Sequence, residues 1–281
     1  MKRPVRKCRS FLFFLLSLNN LFKTMKKILT LCLLAPTLIF AQEIKVPAGF
    51  HVSEIGKNLG STRHIAVSKQ GDVYAKLSKL KEGNGIVLLK DKDKDGVFEE
   101  QTLFGNYTGT GIAIHDDYFY ASSNKGVFRY RLNEKGGVAD WNKFETIVDG
   151  LPDHGRDNAK SFTFDQDRKN IYVTIGSWND PCREAGTGKG MNPCAVLDSA
   201  GGVWRFDAAK LNQGFADGTR FATGLKNAVG ITWNNATKSL FAMAHGRGQF
   251  HDFYPQYYTP KQSQELPAEA MYEFKKAGDD A

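Results

Sequence analysis

The sequence predicts an all-β fold, a β-propeller with about four blades present. Internal repetition is the first observation behind this: His64 to Lys76, Gly111 to Ser122, Ser161 to Thr174 and Gly230 to Met243 resemble one another. Each opens on a short alternating strand (HIAV, GIAI, SFTF, GITW), crosses a polar turn and runs into a second strand (VYAK, FYAS, IYVT, LFAM). Spacing is the second: the openings at residues 64, 111, 161 and 230 recur at about the 40 to 50 residues of a four-stranded blade. The third is that more strands follow in each unit. One small twisted sheet cannot bury two apolar faces alone, so successive sheets stack around a channel.

In order along the chain, third strands are predicted at Gly85 to Lys90, Gly126 to Arg131, Gly202 to Asp207 and Ala270 to Lys275. Fourth strands follow in the first three units, at Glu100 to Phe104, Phe144 to Val148 and Thr219 to Thr223. An insertion from Trp178 to Ala200 accounts for the long third interval. Gly49 to Leu59 (GFHVSEIGKNL) reads as the fourth strand of a blade, placed before the first unit as KFETIVDGL and TRFATGL precede later ones. The last unit halts after MYEFKK, with no terminating element expected before Ala281. Even strand spacing also suits an irregular β-sandwich, which stays open at this point. Phe119, Tyr120, Phe128 and Tyr130 fit strands that pack between sheets.

The net charge of +8 has a local origin. Eight of the 38 basic residues and none of the 30 acidic ones fall within residues 1–42, so the remainder is neutral. Binding of nucleic acid by a basic surface therefore has little support. Met25 to Ala41 has a charged start (Lys26, Lys27), an apolar run from Ile28 to Phe40 and a small residue before Gln42, the form of a secretory signal. Residues 1–24 read as an over-extended N-terminus, 25–41 as the signal and 43–281 as the propeller domain. The expected location is periplasmic or secreted. The mature form then meets no membrane, unless the apolar N-terminus is retained as an anchor.

Cys182 and Cys194 are the only cysteines beyond the signal, and both lie in the insertion. Export permits oxidation, so a disulfide pinning the insertion is expected. Closing a loop of that size contributes about 3 kcal/mol when unstrained. Free or metal-bound thiols are the alternative. No CxxCH occurs, so the chain attaches no c-type haem.

Propellers carry binding groups in the loops around the channel. The polar, glycine-rich candidates are GLPDHGRDNAKSFTFD before the third unit, ATGLKNAVGITW before the fourth, and MAHGRGQFHD after the fourth unit's inner pair. With VPAGFHVSEIGKNLGSTRHIAVSKQGDVYA at the start, these stretches resemble, in order, the soluble quinoprotein glucose and sorbosone dehydrogenases. The resemblance extends over nearly all of Val46 to Ala281. It implies a six-bladed propeller, of which this chain holds about four blades as an N-terminal fragment. It implies pyrroloquinoline quinone (PQQ) and calcium as cofactors, and oxidation of a sugar, alcohol or aldehyde hydrate by hydride transfer to the quinone. It also implies an external electron acceptor.

The resemblance places a catalytic base in the loop before the third inner strand. His154 is the loop's only histidine, and its ring suits proton transfer near neutral pH. Asp157 lies closer to the family's spacing and is the second candidate; a histidine that only bonds backbone is the alternative for His154. GLKN resembles the family's GxRN turn, which assigns Lys226 and Asn227 to the quinone. Lysine there keeps the charge of arginine and loses its planar fork. Gly246 and Arg247 match the loop whose carbonyls hold calcium; a plain glycine turn is the alternative. Trp178 is a candidate for the channel rim.

A second cation site is legible without any resemblance. Asp91, Asp93 and Asp95 before Gly96 form DxDxDG, the opening of an oxygen-rich loop. Thr102 stands at the twelfth position, so a complete EF-hand loop is absent. A solvated charged turn is the alternative. Two other functions stay open: a propeller lactonase using metal-bound water, and a non-catalytic binding propeller. The resemblance places further basic quinone contacts in later blades, so the 281-residue chain is expected to reduce little dye by itself.

Overall fold

A computed structural model describes residues 44–179, 182–184, 186–246, 248–266 and 269–281. The signal expected at residues 25–41 and the residues before it lie outside that set. The chain divides into two compact units, Met1–Ser53 and Glu54–Ala281. In the first, residues 44–53 hold no strand and turn where Phe50 donates its N–H to the Pro47 carbonyl at 3.1 Å. All described strands belong to the second.

That unit is an all-β propeller of four blades. Strands β1 (Thr62–Val67), β2 (Val73–Lys81), β3 (Asn84–Lys90) and β4 (Glu100–Phe104) pair in sequence order. So do β5 (Ile112–His115), β6 (Tyr118–Ser122), β7 (Val127–Arg131) and β8 (Glu145–Val148). The third blade is β9 (Phe162–Phe164), β10 (Asn170–Ile175), β11 (Gly202–Asp207) and β12 (Thr219–Thr223). The fourth is β13 (Ala228–Asn234), β14 (Ser239–Ala244) and β15 (Ala270–Phe274). All these pairings are antiparallel. Four separate sheets, each a meander, exclude the two-layer sandwich.

The second strand of each blade explains the stacking. Side chains alternate between sheet faces, so a strand apolar at every position needs a cover on both sides. Tyr74 of β2 packs against Phe119 of β6, with ring centroids 4.6 Å apart, while Val73, Ala75 and Leu77 form a cluster on the other face. On β6, Tyr120 joins Phe162, Phe164, Ile171 and Val173 of the third blade, whereas Phe119 and Ala121 face back to the first. On β10, Tyr172 joins Leu240, Ala242 and Phe274 of the fourth blade. The core is therefore three inter-blade layers, and first strands of neighbouring blades meet at the axis, as β1 with β5 and β9 with β13.

One sequence expectation is corrected. Gly49 to Leu59 is not a strand: Asn58 and Gly60 turn the backbone into the left-handed region, with φ of 55° and 93°. Ile55 and Leu59 instead pack against the Val73, Ala75 and Leu77 face of the first blade. After β15, Asp279 accepts the Lys275 and Lys276 N–H groups at 2.6 and 3.0 Å, and β16 (Asp279–Asp280) pairs parallel with β12 of the third blade. Met243 and Met271, 42% and 65% exposed, leave part of the fourth blade's far face uncovered.

Lys76 is enclosed beside the Tyr74 layer. Its ammonium donates to the Tyr107 and Gly85 carbonyls at 2.6 and 3.2 Å and lies 4.2 Å from the centre of the Tyr107 ring. Burial lowers its pKa from 10.5 to about 7. Between those values the unfolded chain holds more protons than the folded one, so stability rises with pH. The window closes near pH 10, where the buried phenols of Tyr74 and Tyr107, both raised, act in the opposite direction. Urea unfolding should show stability increasing from pH 7 to 10, with Lys76 contributing up to about 1.4 kcal/mol per pH unit. Lys76→Met should flatten that rise; an unchanged slope in the variant would refute the assignment.

Candidate functional site

Connections in an antiparallel meander alternate between the two ends of a blade. One end therefore collects the segments entering each inner strand and the links between second and third strands. Residues 149–161 before β9, 224–227 before β13, the insertion after β10 and the segment after β14 share that end. These include the loops that the sequence singles out.

Asp157 and Asn227 meet there. The Asn227 amide donates to Asp157 Oδ1 at 3.4 Å, although 70 residues separate the two in the chain. Asp157 sits in the left-handed region at φ 46°, which aims its short side chain across to the fourth blade's lead-in. Asn227 is buried, and its backbone carbonyl accepts the His245 N–H at 2.8 Å, extending the β13–β14 ladder by one rung. Among the described residues, Asp157 Oδ2 and Asn227 Oδ1 are both buried without a hydrogen-bond partner, as is Ser161 Oγ. Buried oxygens left unpaired cost about 1–3 kcal/mol each, a cost that native folds tolerate mainly where a site has work to do.

Gly176 lies between these two residues. A Cβ there would stand 2.1 Å from the Asp157 carbonyl oxygen and 2.8 Å from Asn227 Oδ1. Only glycine permits this approach. The next residue, Ser177, donates its N–H to the Lys226 carbonyl at 2.6 Å, and its hydroxyl donates to the Asn179 carbonyl at 2.6 Å. The end of β10 thus grips both halves of the GLKN turn.

His154 occupies an exposed part of the same loop. Its ring packs on Trp178, centroids 4.2 Å apart, so the two form one aromatic pair at the start of the insertion. Cys182 and Cys194 are disulfide-bonded, with Cα atoms 5.0 Å apart, and Met191 donates its N–H to the Cys182 carbonyl at 2.6 Å. The segment after β14 packs on the insertion: the Arg183 guanidinium lies 3.7 Å from the centre of the Phe253 ring, and the Tyr254 hydroxyl donates to the Gly188 carbonyl.

Lys226 is half-buried, with its carbonyl held as described. Gly246 is half-buried and follows His245, which is bonded to Asn227 through the backbone. Arg247 lies outside the described residues. The structure thus brings Asp157 to Asn227 by a hydrogen bond, Gly246 stands next in the chain to His245, which bonds the Asn227 carbonyl, and His154 contacts Trp178, one residue beyond the Ser177 that holds the Lys226 carbonyl.

Lys160, two residues before β9, is fully buried, and its ammonium donates to the Asn158 carbonyl at 3.3 Å. Burial lowers its pKa to about 8, and the Asp153 carboxylate partly opposes that shift. The sequence reading passed over Lys160, Gly176 and Ser177. Lysine in a polar loop carries no mark of burial, and Gly176 ends a strand whose spatial neighbours are set only by stacking.

Asp91, Asp93 and Asp95 lie elsewhere, in the β3–β4 connection at the opposite end of the first blade. Glu99 joins them, and one carboxylate oxygen from each of the four falls within 4.8 Å of the others. Backbone N–H groups of Lys94, Gly96 and Val97 bond the Asp91 and Asp95 carboxylates at 2.7–2.9 Å, and Lys92 N–H bonds Glu99 at 3.0 Å. Glu99 was missed because only the twelfth position was weighed, and the loop draws its fourth carboxylate from the ninth.

The family model described as TrAA12-like matches residues 44–280. Among solved structures, the iodide structure of Trichoderma reesei Carbohydrate-Active Enzymes Family AA12 superposes with a TM-score of 0.60 at 19% identity, covering 80% of this chain and 56% of that one. The calcium structure of the same protein gives 0.59 at 18%, with the same coverage. The holo form of the pyranose dehydrogenase PQQ domain from Coprinopsis cinerea gives 0.60 at 17%, covering 83% of this chain and 55% of that one. The chain thus spans little more than half the length of these relatives, and at such identities the likeness is one of fold. No curated protein matches the chain.

Gly176→Ala should displace Asp157 and Asn227 and cost about 1–3 kcal/mol through overpacking. Thermal unfolding should fall by roughly 2–12 °C, given about 2–4 °C per kcal/mol in a domain of this size. An unchanged midpoint would show that the contact is not tight.

Proposed function

Because the chain belongs to the TrAA12-like family, we propose that it is part of a PQQ- and calcium-dependent oxidoreductase acting on a sugar, alcohol or aldose-type substrate. The observation that carries this reading is the pair of oxygens, Asp157 Oδ2 and Asn227 Oδ1, buried and without a partner among the described residues, flanking a glycine where a Cβ would crowd both segments. Such a cradle suits a planar, polar ligand that offers hydrogen bonds along its edge. The proposal includes an exported location, periplasmic or secreted, with which the Cys182–Cys194 disulfide agrees.

When bound, PQQ supplies a hydride acceptor, and calcium beside it polarises the accepting carbonyl. The chain's own residues do the rest. The Asn227 amide holds Asp157 Oδ1, which leaves Oδ2 as the acceptor for a substrate hydroxyl proton. Asp157, rather than His154, is therefore the proposed base. The His154–Trp178 pair forms the rim that a sugar ring meets on entry. Lys226 supplies positive charge toward the acidic cofactor, Asn227 Oδ1 accepts a hydrogen bond from it, and the Gly246 carbonyl contributes to calcium. Electrons leave to an external acceptor. The acidic loop of Asp91, Asp93, Asp95 and Glu99 holds a second, structural calcium in this proposal.

Titration of the purified chain with PQQ in calcium buffer, followed by the quinone's absorbance, tests binding apart from turnover. Asn227→Ala should weaken binding about tenfold, the loss of roughly one neutral hydrogen bond. Asp157→Asn should retain binding; in the longer protein of which this chain is proposed to be part it should lower dye reduction about 10²-fold or more, whereas His154→Ala should act mainly on KM. No quinone uptake by the wild type, or lactone hydrolysis without quinone, would sink the reading. For the acidic loop, added calcium should raise the thermal midpoint of the wild type and leave that of the Asp93→Asn/Asp95→Asn variant unmoved. Equal shifts in both proteins would count against that site.

A further inference from the structure

A cleft opens on the outer flank between the first two blades. Its volume is about 430 Å³, within the ~300–1,000 Å³ range of small-molecule sites. One wall is the outer strand β4 with the turn after it, and the other is β7 with the connection to β8. Among its lining residues are Trp141, Phe144, Tyr130, Asn84, Asn106 and Asn142.

Two features define what such a cleft accepts. First, the lining contains no carboxylate, ammonium, guanidinium or imidazole. The one phenol, Tyr130, is buried and bonded to the Tyr107 hydroxyl at 3.0 Å. Phosphates, nucleotides and organic cations would leave their charge uncompensated here. Second, aromatic faces alternate with side-chain amides. Phe144 is 48% exposed, unusual for a phenylalanine beside a core, and Asn106 and Asn142 stand exposed next to it. The rings are supported from beneath: Phe104 lies 4.4 Å from Trp141 and 5.6 Å from Tyr130, and Tyr130 lies 5.8 Å from Phe144. A ledge fixed in this way loses little conformational freedom on binding.

We propose that this cleft is a binding site for a neutral oligosaccharide. The C–H faces of pyranose rings lie on the Trp141 and Phe144 rings, and the hydroxyls are met by the amides of Asn84, Asn106 and Asn142, each of which can both donate and accept. A purely apolar partner would bury those amides without bonds, which disfavours it. The site is separate from the Asp157 and Asn227 loops and serves to hold the protein on a glycan. It stands independently of the oxidation proposed above.

The two regions carry separate reporters among the chain's four tryptophans, Trp141 in the cleft and Trp178 beside His154. Protein labelled with ¹⁵N at the indoles, with the Trp141 signal assigned by its loss in Trp141→Phe, is titrated with cellobiose, maltose and lactose. At least one should shift the Trp141 signal saturably, with a Kd on the order of 1 mM. Asn106→Ala/Asn142→Ala, at exposed positions, should weaken that binding about tenfold, as one to two hydrogen bonds lost would do. Dispersed signals from the remaining indoles report that the double variant is folded. A Trp141 signal unmoved by all three sugars, a shift confined to Trp178, or wild-type affinity in the double variant would each overturn the assignment. A Trp141 shift produced by an apolar dye and by none of the sugars would also overturn it, in favour of an apolar partner.

Discussion

A β-sheet with two apolar faces has no stable existence alone in water, and everything else in this molecule depends on that constraint. β2, β6 and β10 are buried along most of their length, so each blade needs a neighbour on either side. Tyr74, Tyr120 and Tyr172 hold equivalent places in the three layers, each turned toward the following blade. Their large rings supply much of the buried apolar area and set how closely the sheets approach. The arrangement repeats because the constraint repeats.

Stacking also determines which loops become neighbours. Asp157 leads into the third blade and Asn227 into the fourth, and the two meet only because β9 and β13 lie side by side at the axis. Gly176 closes the assembly from the end of β10, where any side chain would strike the Asp157 carbonyl. The result is a compact polar centre held by backbone as much as by side chains. Such a centre keeps its geometry while the surrounding loops vary, which suits a fold whose chemistry resides in its loops.

Around that centre the rim is built by cross-support. The disulfide closes the insertion, Arg183 and Gly188 of the insertion engage Phe253 and Tyr254, and Trp178 packs on His154. Among the described residues these elements rely on a single β-bridge, Arg183 with Gly190, and on no longer strand ladder. The outer cleft between the first two blades rests instead on the inter-blade core, whose Phe104 and Tyr130 reach the surface beneath Trp141 and Phe144. One packing layer therefore serves both stability and surface shape.

The sequence by itself determined the strands and their grouping, because alternation of apolar side chains and polar turns is a local property written in HIAV, FYAS or IYVT. It also marked the loops where Asp157, Lys226 and Asn227 stand, and the pairing of Cys182 with Cys194, since only two cysteines follow the signal. Tertiary structure decided what no local pattern encodes. The segment around Asn58 and Gly60 reads as a strand by composition, yet two left-handed residues bend it into a cap over Leu77 and its neighbours. The final residues return to the third blade because β12 offers an open edge. The burial of Lys160 and the closeness of Gly176 to Asn227 are distances between segments. Such distances arise only when the sheets stack, because contact across blades depends on packing and not on the order of residues within any one of them.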